Sequence, residues 1–409
     1  MTFRAWVFTE MPYPYLPPAE MLPVNRTVVP NRFYDPDTGY QLYKNYYDIY
    51  SAADSLGLDI MVNEHHSTAT CTNSVVPLSM AIIARETSSA RILALGNPLS
   101  NRRDPVRIAE EMATVDVISQ GRAEVGFVRG VPMEHSATNS SPVDTKERFW
   151  EAADLIVKAW TTHDGPFSWE GEYFHHRQVN IWPRPYQQPH PPVWVPTLSA
   201  QSAGELAARG FNVATLGNGT QQCGLIFDAY RSKCEELNLA SPRPEQFGYS
   251  PFVFVGDTDE RAKQEVEKIR RWVIELLRTP KQFSDVPGLV DARARAQSVS
   301  GQGSVGKSEP SHADRPLSLY EMAYAPIDEL IRLGYVMAGN PDTVFEQLKS
   351  FHDSVGGFGN LLAMMQYSTM SVESVHQSME RLANDVLPRF NSEVFEPSAR
   401  GDREMVSAN

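Results

Sequence analysis

The sequence predicts an α/β fold: a (β/α)8 TIM barrel with long insertions at its C-terminal face. Three observations carry this expectation. Eight short apolar runs recur along the 409 residues, most of them separated by stretches with helical spacing. Such alternation implies a parallel sheet with helices outside it. Eight units in one chain favour a closed barrel over an open sheet, and the length suits one large barrel.

In chain order, the first run is FRAWVF at 3–8. Residues 11–39 follow, rich in proline from Pro12 to Pro36, and read as a loop opening on the C-terminal face. A helix is expected over 40–56, stopped by Gly57, then the second run, LDIMVN, at 58–63. The third run, RILALG at 91–96, leads to a helix over 104–119. That helix has Asp104 as cap and Pro105 in first position, where a missing N–H costs nothing. The fourth run is AEVGFV at 123–128, with a helix over 141–160. Residues 165–191 contain WEGEYFHHRQVNIWP and read as a β insertion before the fifth run, PVWVPT at 192–197. Helices over 200–209 and 221–237 flank the sixth run, FNVATL at 211–216. The seventh is YSPFVFV at 249–255, with a helix over 257–277. Residues 283–319 are polar and rich in Ser and Gly, and a segment of that length without period reads as a mobile lid. Asn340 caps a helix with Pro341 in first position, NLLAMM at 360–365 is the eighth run, and a helix over 371–387 closes the series. The expected organisation is a single domain over 1–395 and a polar tail over 396–409.

Charge and composition exclude several classes. Lys and Arg total 37 against 50 Asp and Glu, a net charge of −13. So acidic a chain argues against nucleic acid and anionic membranes as partners. Cys71, Cys223 and Cys234 have no paired spacing and read as free thiols of a reducing compartment. With neither a signal peptide nor an apolar run of about 18 residues, the expected location is cytoplasmic.

One motif points elsewhere. GQGSVGKS at 301–308 matches the phosphate-cradling P-loop letter for letter. A working P-loop needs a buried strand before it and a helix after it. The preceding VDARARAQSVS is polar, and Pro310 forbids a helix running from Lys307. The stretch therefore reads as part of the lid, and nucleotide hydrolysis is not expected.

Candidate chemistry gathers at strand ends. NEHHS at 63–67 ends the second strand. Alternation places Leu58, Ile60 and Val62 on one face, and Asp59, Met61, Asn63 and His65 on the other. Asn63 and His65 then point into the barrel mouth, where active sites sit. His66 points away, so the two histidines do not form a metal pair, and no metal is expected. Gly96-Asn97-Pro98 ends the third strand, with backbone freedom suited to a planar ligand. Arg129-Gly130 ends the fourth, placed to hold a phosphate. Ser199 and Ser202 open the helix after the fifth run, where hydroxyls and free N–H groups form an anion site or simply cap the helix. Trp6, Phe8, Tyr13 and Tyr15 read as a substrate wall or as core. Arg26, Arg32, Arg102 and Arg103 read as anion-binding or solvated.

Taken together, EHH, GNPLSNRRDPVRIAEEMATVDVISQGRAEVGFVRG, VWVPTLSAQSAGELAARGF, AGNPDTVFEQLKSF and LANDVLPRF resemble the bacterial luciferase-like flavin monooxygenase superfamily. The resemblance spans roughly Phe3 to Phe390 and is most specific from Pro105 to Gly130. It implies a barrel that binds FMN in its reduced form, FMNH2, at the C-terminal face. It implies a two-component monooxygenase that uses O2, through a flavin C4a-peroxide, to oxygenate a small organic substrate. A separate NAD(P)H-flavin reductase would supply the flavin, and the chain would form a homodimer. His65 matches the family's catalytic histidine. Gly96-Asn97 matches a step that is often a cis peptide beneath the flavin ring. Arg129 matches the phosphate-binding arginine, and Ser199 and Ser202 match hydroxyls at the phosphate. Leu198 stands at a phosphate-side position where luciferase has glutamate, and Val128 where it has a reactive cysteine. These departures argue against light emission. Two alternatives stay open on the same fold: a deazaflavin-dependent dehydrogenase and a non-catalytic flavin-binding subunit.

Overall fold

A computed structural model describes residues 2–23, 28–268, 270, 316–367 and 369–396 of the chain. The expectations for the P-loop-like stretch, for Arg26 and for the lid up to residue 315 fall outside the described residues, as does the tail beyond Glu396.

Twelve strands are described: β1 (Arg4–Thr9), β2 (Asp59–Val62), β3 (Ile92–Pro98), β4 (Ala123–Val128), β5 (Phe167–Glu170), β6 (His175–Val179), β7 (Val193–Pro196), β8 (Asn212–Leu216), β9 (Phe247–Ser250), β10 (Phe252–Val255), β11 (Val336–Gly339) and β12 (Asn360–Gln366). Eight of them pair in parallel in the order β1-β2-β3-β4-β7-β8-β9-β12. β12 then pairs with β1, with Trp6 opposite Leu362, and closes the ring. The barrel expected from the sequence is the one found.

Helices pack outside it: α1 (Pro36–Ser55), α2 (Val76–Glu86), α3 (Pro105–Ile118), α4 (Pro132–Ala137), α5 (Thr145–Thr161), α6 (Ala200–Arg209), α7 (Gly219–Glu236) and α8 (Asp259–Val266), followed by helices at Leu319–Tyr324, Ile327–Arg332, Pro341–Ser354 and Val372–Arg381. The helix expected over 40–56 starts earlier, at Pro36. Asp35 accepts the Thr38 N–H at 2.9 Å, and Pro36 takes first position, the same start signal that opens α3. α2 and α4 were not expected. The seventh run is broken in two, because Pro251 has no N–H to give the ladder. β9 pairs with β8 and β12, while β10 touches β12 at one position and runs along β11, a strand the sequence reading missed.

The β insertion forms an antiparallel hairpin, β5 with β6. It lies along α5: Lys158 sits over Phe167, and at the turn Glu151 accepts the N–H groups of Glu172, Tyr173 and Phe174, each at 3.0 Å. Gln187 fastens this insertion. Its backbone N–H donates to Asp116 at 2.9 Å, and its amide donates to Asp116 at 2.8 Å and to the Ala123 carbonyl at the foot of β4 at 2.7 Å.

The same end holds the polar ties of the fold. Arg4 meets Asp59 at 2.6 Å, and the Glu124 carboxylate takes the Trp194 indole N–H and the Arg91 guanidinium. Arg122 donates to the carbonyls of Ser119 (3.0 Å), Ala90 (2.8 Å), Ala84 (2.8 Å) and Thr87 (3.1 Å), and to the Thr87 hydroxyl (2.9 Å). It satisfies carbonyls left open at the ends of α2 and α3. Trp6, Trp160, Trp194, Phe127 and Tyr249 are fully buried and fill the core. No described helix is long and apolar enough to cross a membrane.

Candidate active site

His65 leaves the C-terminal end of β2 in a loop pinned by its neighbours. Asn73 donates to the Asn63 carbonyl at 2.8 Å, and the His65 N–H reaches the Asn73 carbonyl at 3.3 Å. Glu64 turns away and accepts the Val76 N–H at 3.0 Å, which caps α2. Its other oxygen meets His66 Nε2 at 3.1 Å. His66 thus has its own carboxylate and shares none of the ring contacts of His65.

The His65 ring stands between two other carboxylates. Nδ1 lies 2.9 Å from Glu134 Oε1, and Nε2 lies 4.0 Å from Glu10 Oε2. Glu134 Oε1 also accepts the His66 backbone N–H at 3.0 Å. Glu10 is held in turn by the Asn63 amide at 2.9 Å. The imidazole is 21% exposed and Glu134 only 1%, so the ring faces the mouth with its support behind it. Cys71 lies 3.5 Å from Asn63 Oδ1. Burial, and then the Glu10 charge, push the Cys71 thiol up, which leaves it a protonated, unreactive group. The hydrogen bond to Glu64 raises the pKa of His66, helped by the charges of Glu64 and Glu134 and opposed by burial and by Arg102. Burial lowers that of His135, which donates to or accepts from Ser140 at 2.9 Å.

Glu10 and Glu134 were missed in the sequence. Glu10 immediately follows β1 and is open to the same strand-end argument as His65. Glu134 sits in the six-residue helix α4, five positions beyond Arg129, with only Pro132 in first position to mark it.

The other expected residues line the ends of β3, β4 and β7. A cis peptide joins Leu95 to Gly96, one bond before the Gly96-Asn97 step the resemblance implied. The Asn97 side chain faces α3 rather than the mouth, donating to the Gly126 carbonyl at 3.1 Å and lying 3.7 Å from Met112 Sδ. Any contact of Gly96-Asn97 with a ligand would come from backbone. Arg129 is exposed and has no ion-pair partner among the described residues. Ser199 caps α6: its hydroxyl accepts the Ser202 N–H at 3.3 Å and lies 3.0 Å from the Ser202 hydroxyl. Leu198 beside it is 61% exposed. β4 and β7 are neighbours, with Val125 opposite Val193, so Arg129 and the two serines leave adjacent strands on one side of the mouth.

Of the aromatic residues, Trp6 is core, its indole donating to Asn360 at 3.0 Å, and Phe8 is buried. The Tyr13 hydroxyl accepts the Asp35 N–H at 3.0 Å and pins the proline-rich loop, so Tyr15 is the exposed member. Arg102 pairs with Glu111 at 2.6 Å, and Arg32 stacks over Phe33.

Comparison with known proteins places the chain among flavin-dependent enzymes of this fold. A relative in Sinorhizobium fredii, an uncharacterized protein, is 32% identical over 52% of this chain, and the match spans only 61% of that protein. The oxygenase component of a flavin-dependent trigonelline monooxygenase from Acinetobacter baylyi is 25% identical over 88% of this chain and 93% of its own. Among solved structures, the oxygenating constituent of 3,6-diketocamphane monooxygenase from Pseudomonas putida, in complex with FMN, shares the fold with a TM-score of 0.68, at 19% identity, over 95% of this chain and 99% of that one. An F420-dependent secondary alcohol dehydrogenase also shares the fold, with a TM-score of 0.64 at 14% identity, over 95% of this chain and 99% of that one. A family profile described as luciferase-like monooxygenase matches residues 27–356, most of the chain, and the protein belongs to that family.

Proposed function

We propose that this chain is the oxygenase component of a two-component flavin monooxygenase. It binds reduced FMN at the barrel mouth, receives that flavin from a separate NAD(P)H-flavin reductase, and oxygenates a small organic substrate with O2. The observation that carries the reading is His65: a half-buried imidazole at the end of β2, backed by the buried Glu134 and facing the mouth.

The residues across the mouth fit a phosphate-bearing cofactor. Arg129 offers an exposed guanidinium that makes no hydrogen bond or ion pair to a described residue. The first turn of α6 offers backbone N–H groups and two hydroxyls on the adjacent strand end. Such a donor set matches a phosphate dianion. Bound there, the reduced flavin would supply the electrons that activate O2. His65 would hold or move a proton at Nε2, the nitrogen that Glu134 leaves open. The buried floor around Glu134 and Cys71 would keep bulk water from the ring. A homodimer is part of this proposal by resemblance alone, and a cytoplasmic location by the composition of the chain.

A second reading, a deazaflavin-dependent dehydrogenase, is favoured by the fold shared with the F420-dependent enzyme. One experiment separates them. The protein is titrated anaerobically with reduced FMN, and in parallel with reduced F420, and O2 uptake is then followed. Saturable binding of reduced FMN and O2 consumption that His65→Ala slows by about 10²-fold support the proposal. Anaerobic turnover with F420, and none with FMN, overturns it.

A further inference from the structure

We propose that Glu134 is the positioning residue of this site. It fixes the neutral His65 as the Nδ1–H tautomer and so leaves Nε2 as the one ring nitrogen that exchanges a proton at the mouth. The inference deepens the reading of His65 given above and rests on it for its catalytic consequence.

The argument is one of donors and acceptors. A backbone N–H only donates, so Glu134 Oε1, which takes the His66 N–H at 3.0 Å, is acting as an acceptor. The same oxygen lies 2.9 Å from His65 Nδ1. An ionised carboxylate only accepts, so with Glu134 ionised Nδ1 carries the hydrogen. Nε2 then has the lone pair when the ring is neutral. The nearest acidic group on that side is Glu10, whose oxygen is 4.0 Å away. That separation is too long for a direct hydrogen bond. It places Glu10, steadied by Asn63, beside the exchanging nitrogen and not on it.

Glu134 also fixes direction. By holding the His66 N–H and the His65 ring with one oxygen, it ties the backbone of the loop after β2 to α4, which follows Arg129. The imidazole is thereby placed relative to the strand end that carries the phosphate-binding candidate. A carboxylate that orients a metal-bound histidine is commonly worth about 10–100-fold in activity, and an effect on the same scale is expected here.

The test combines a spectroscopic and a kinetic readout. The protein is labelled with ¹⁵N-histidine, and the His65 signals are assigned by their loss in His65→Asn. Spectra are taken over a range of pH, and the tautomer is read where the shifts themselves show a neutral ring. The expected result is a protonated Nδ1 and an unprotonated Nε2 for His65 in the wild type. Glu134→Gln, whose carbonyl oxygen can take both N–H groups, keeps that tautomer. Glu134→Leu, matched in size but without an acceptor, loses it. In parallel, kcat for O2-dependent turnover falls about 10–100-fold in Glu134→Leu, while the Kd for reduced FMN moves less than about threefold. A wild-type His65 carrying its proton on Nε2 overturns the proposal without any variant, even if Glu134→Leu fails to fold. So does a Glu134→Leu protein whose His65 tautomer is unchanged. If the tautomer changes and kcat does not, the positioning stands and the catalytic reading of His65 falls.

Discussion

Arg129→Ala separates a residue kept for a ligand from one kept for the fold. In the structure the guanidinium is exposed and makes no hydrogen bond or ion pair to a described residue. Removing it should therefore leave stability within about 0.5 kcal/mol of wild type, the usual range for a surface change. Its loss should be felt by the cofactor instead. A hydrogen bond to a charged group is worth about 1.5–3 kcal/mol net, and each 1.4 kcal/mol is tenfold in affinity. The Kd for reduced FMN should rise about 10–100-fold. Because the contact is between exposed charges, raising salt from about 0.05 to 0.5 M should weaken wild-type binding more than binding to the variant. The assay is an anaerobic titration at both salt concentrations, with urea denaturation of the same preparations. Ser199→Ala is the informative companion: its hydroxyl caps α6, so about 1 kcal/mol of stability should go with any loss of affinity. An Arg129→Ala protein that binds reduced FMN within twofold of wild type at low salt refutes the phosphate assignment. One that loses more than about 1 kcal/mol of stability refutes the premise that the side chain is unengaged.

Arg122→Ala should behave in the opposite way, since five hydrogen bonds at the foot of the barrel disappear. A loss of about 3–5 kcal/mol is expected in denaturant unfolding, with flavin affinity per folded molecule unchanged. Gly126→Ala would put a Cβ 2.3 Å from the Ala94 carbonyl oxygen and 2.9 Å from Leu95 Cα, both backbone. β3 and β4 must part to admit it, at about 1–3 kcal/mol, read as a lowered midpoint in urea. His66 supplies a pH test. Its folded pKa is raised, so its contribution is complete below the unfolded value of about 6.5 and is lost as pH rises through the folded value. Unfolding midpoints measured from pH 5.5 to about 9 should fall more steeply in wild type than in His66→Asn. Equal slopes would remove His66 from the account.

The barrel was legible because its signal is repeated. Each of the eight runs is weak alone, but alternation with helices leaves few other folds. Start signals were legible wherever they were sought: the Asp-Pro pair that opened α3 also opens α1, hidden at Asp35 inside a stretch set aside as loop. What failed to show were elements held by their surroundings: α2, eleven residues long, has no side-chain cap of its own and takes one from Glu64. α4 is six residues and β11 four, too brief for any period to emerge. His65 was legible as a residue just past a strand end, although β2 stops at Val62 and strand parity does not carry into the loop that holds the ring. Asn97 was not, because β3 shifts register against β4 between Ala94 and Asn97, and counting in twos cannot cross that irregularity. Glu134 was out of reach for a different reason. Its meaning comes from His65, 69 positions earlier, and only the closed ring brings them together.

The hairpin at the foot of the barrel has a practical consequence. Its strands pair with each other and with no barrel strand, and the segment that follows is anchored through Gln187 at the end opposite His65. The turn itself is held to α5 by Glu151, but the exposed residues 163–164, between the end of α5 and β5, are a point of attachment that leaves the mouth clear. A tether placed between His163 and Gly165 would hold the protein on a surface with its opening toward solution. Paired there with an immobilised flavin reductase, the distance a reduced flavin must diffuse becomes a quantity set by the tether, and leakage of that flavin to O2 on the way can be measured as a function of it.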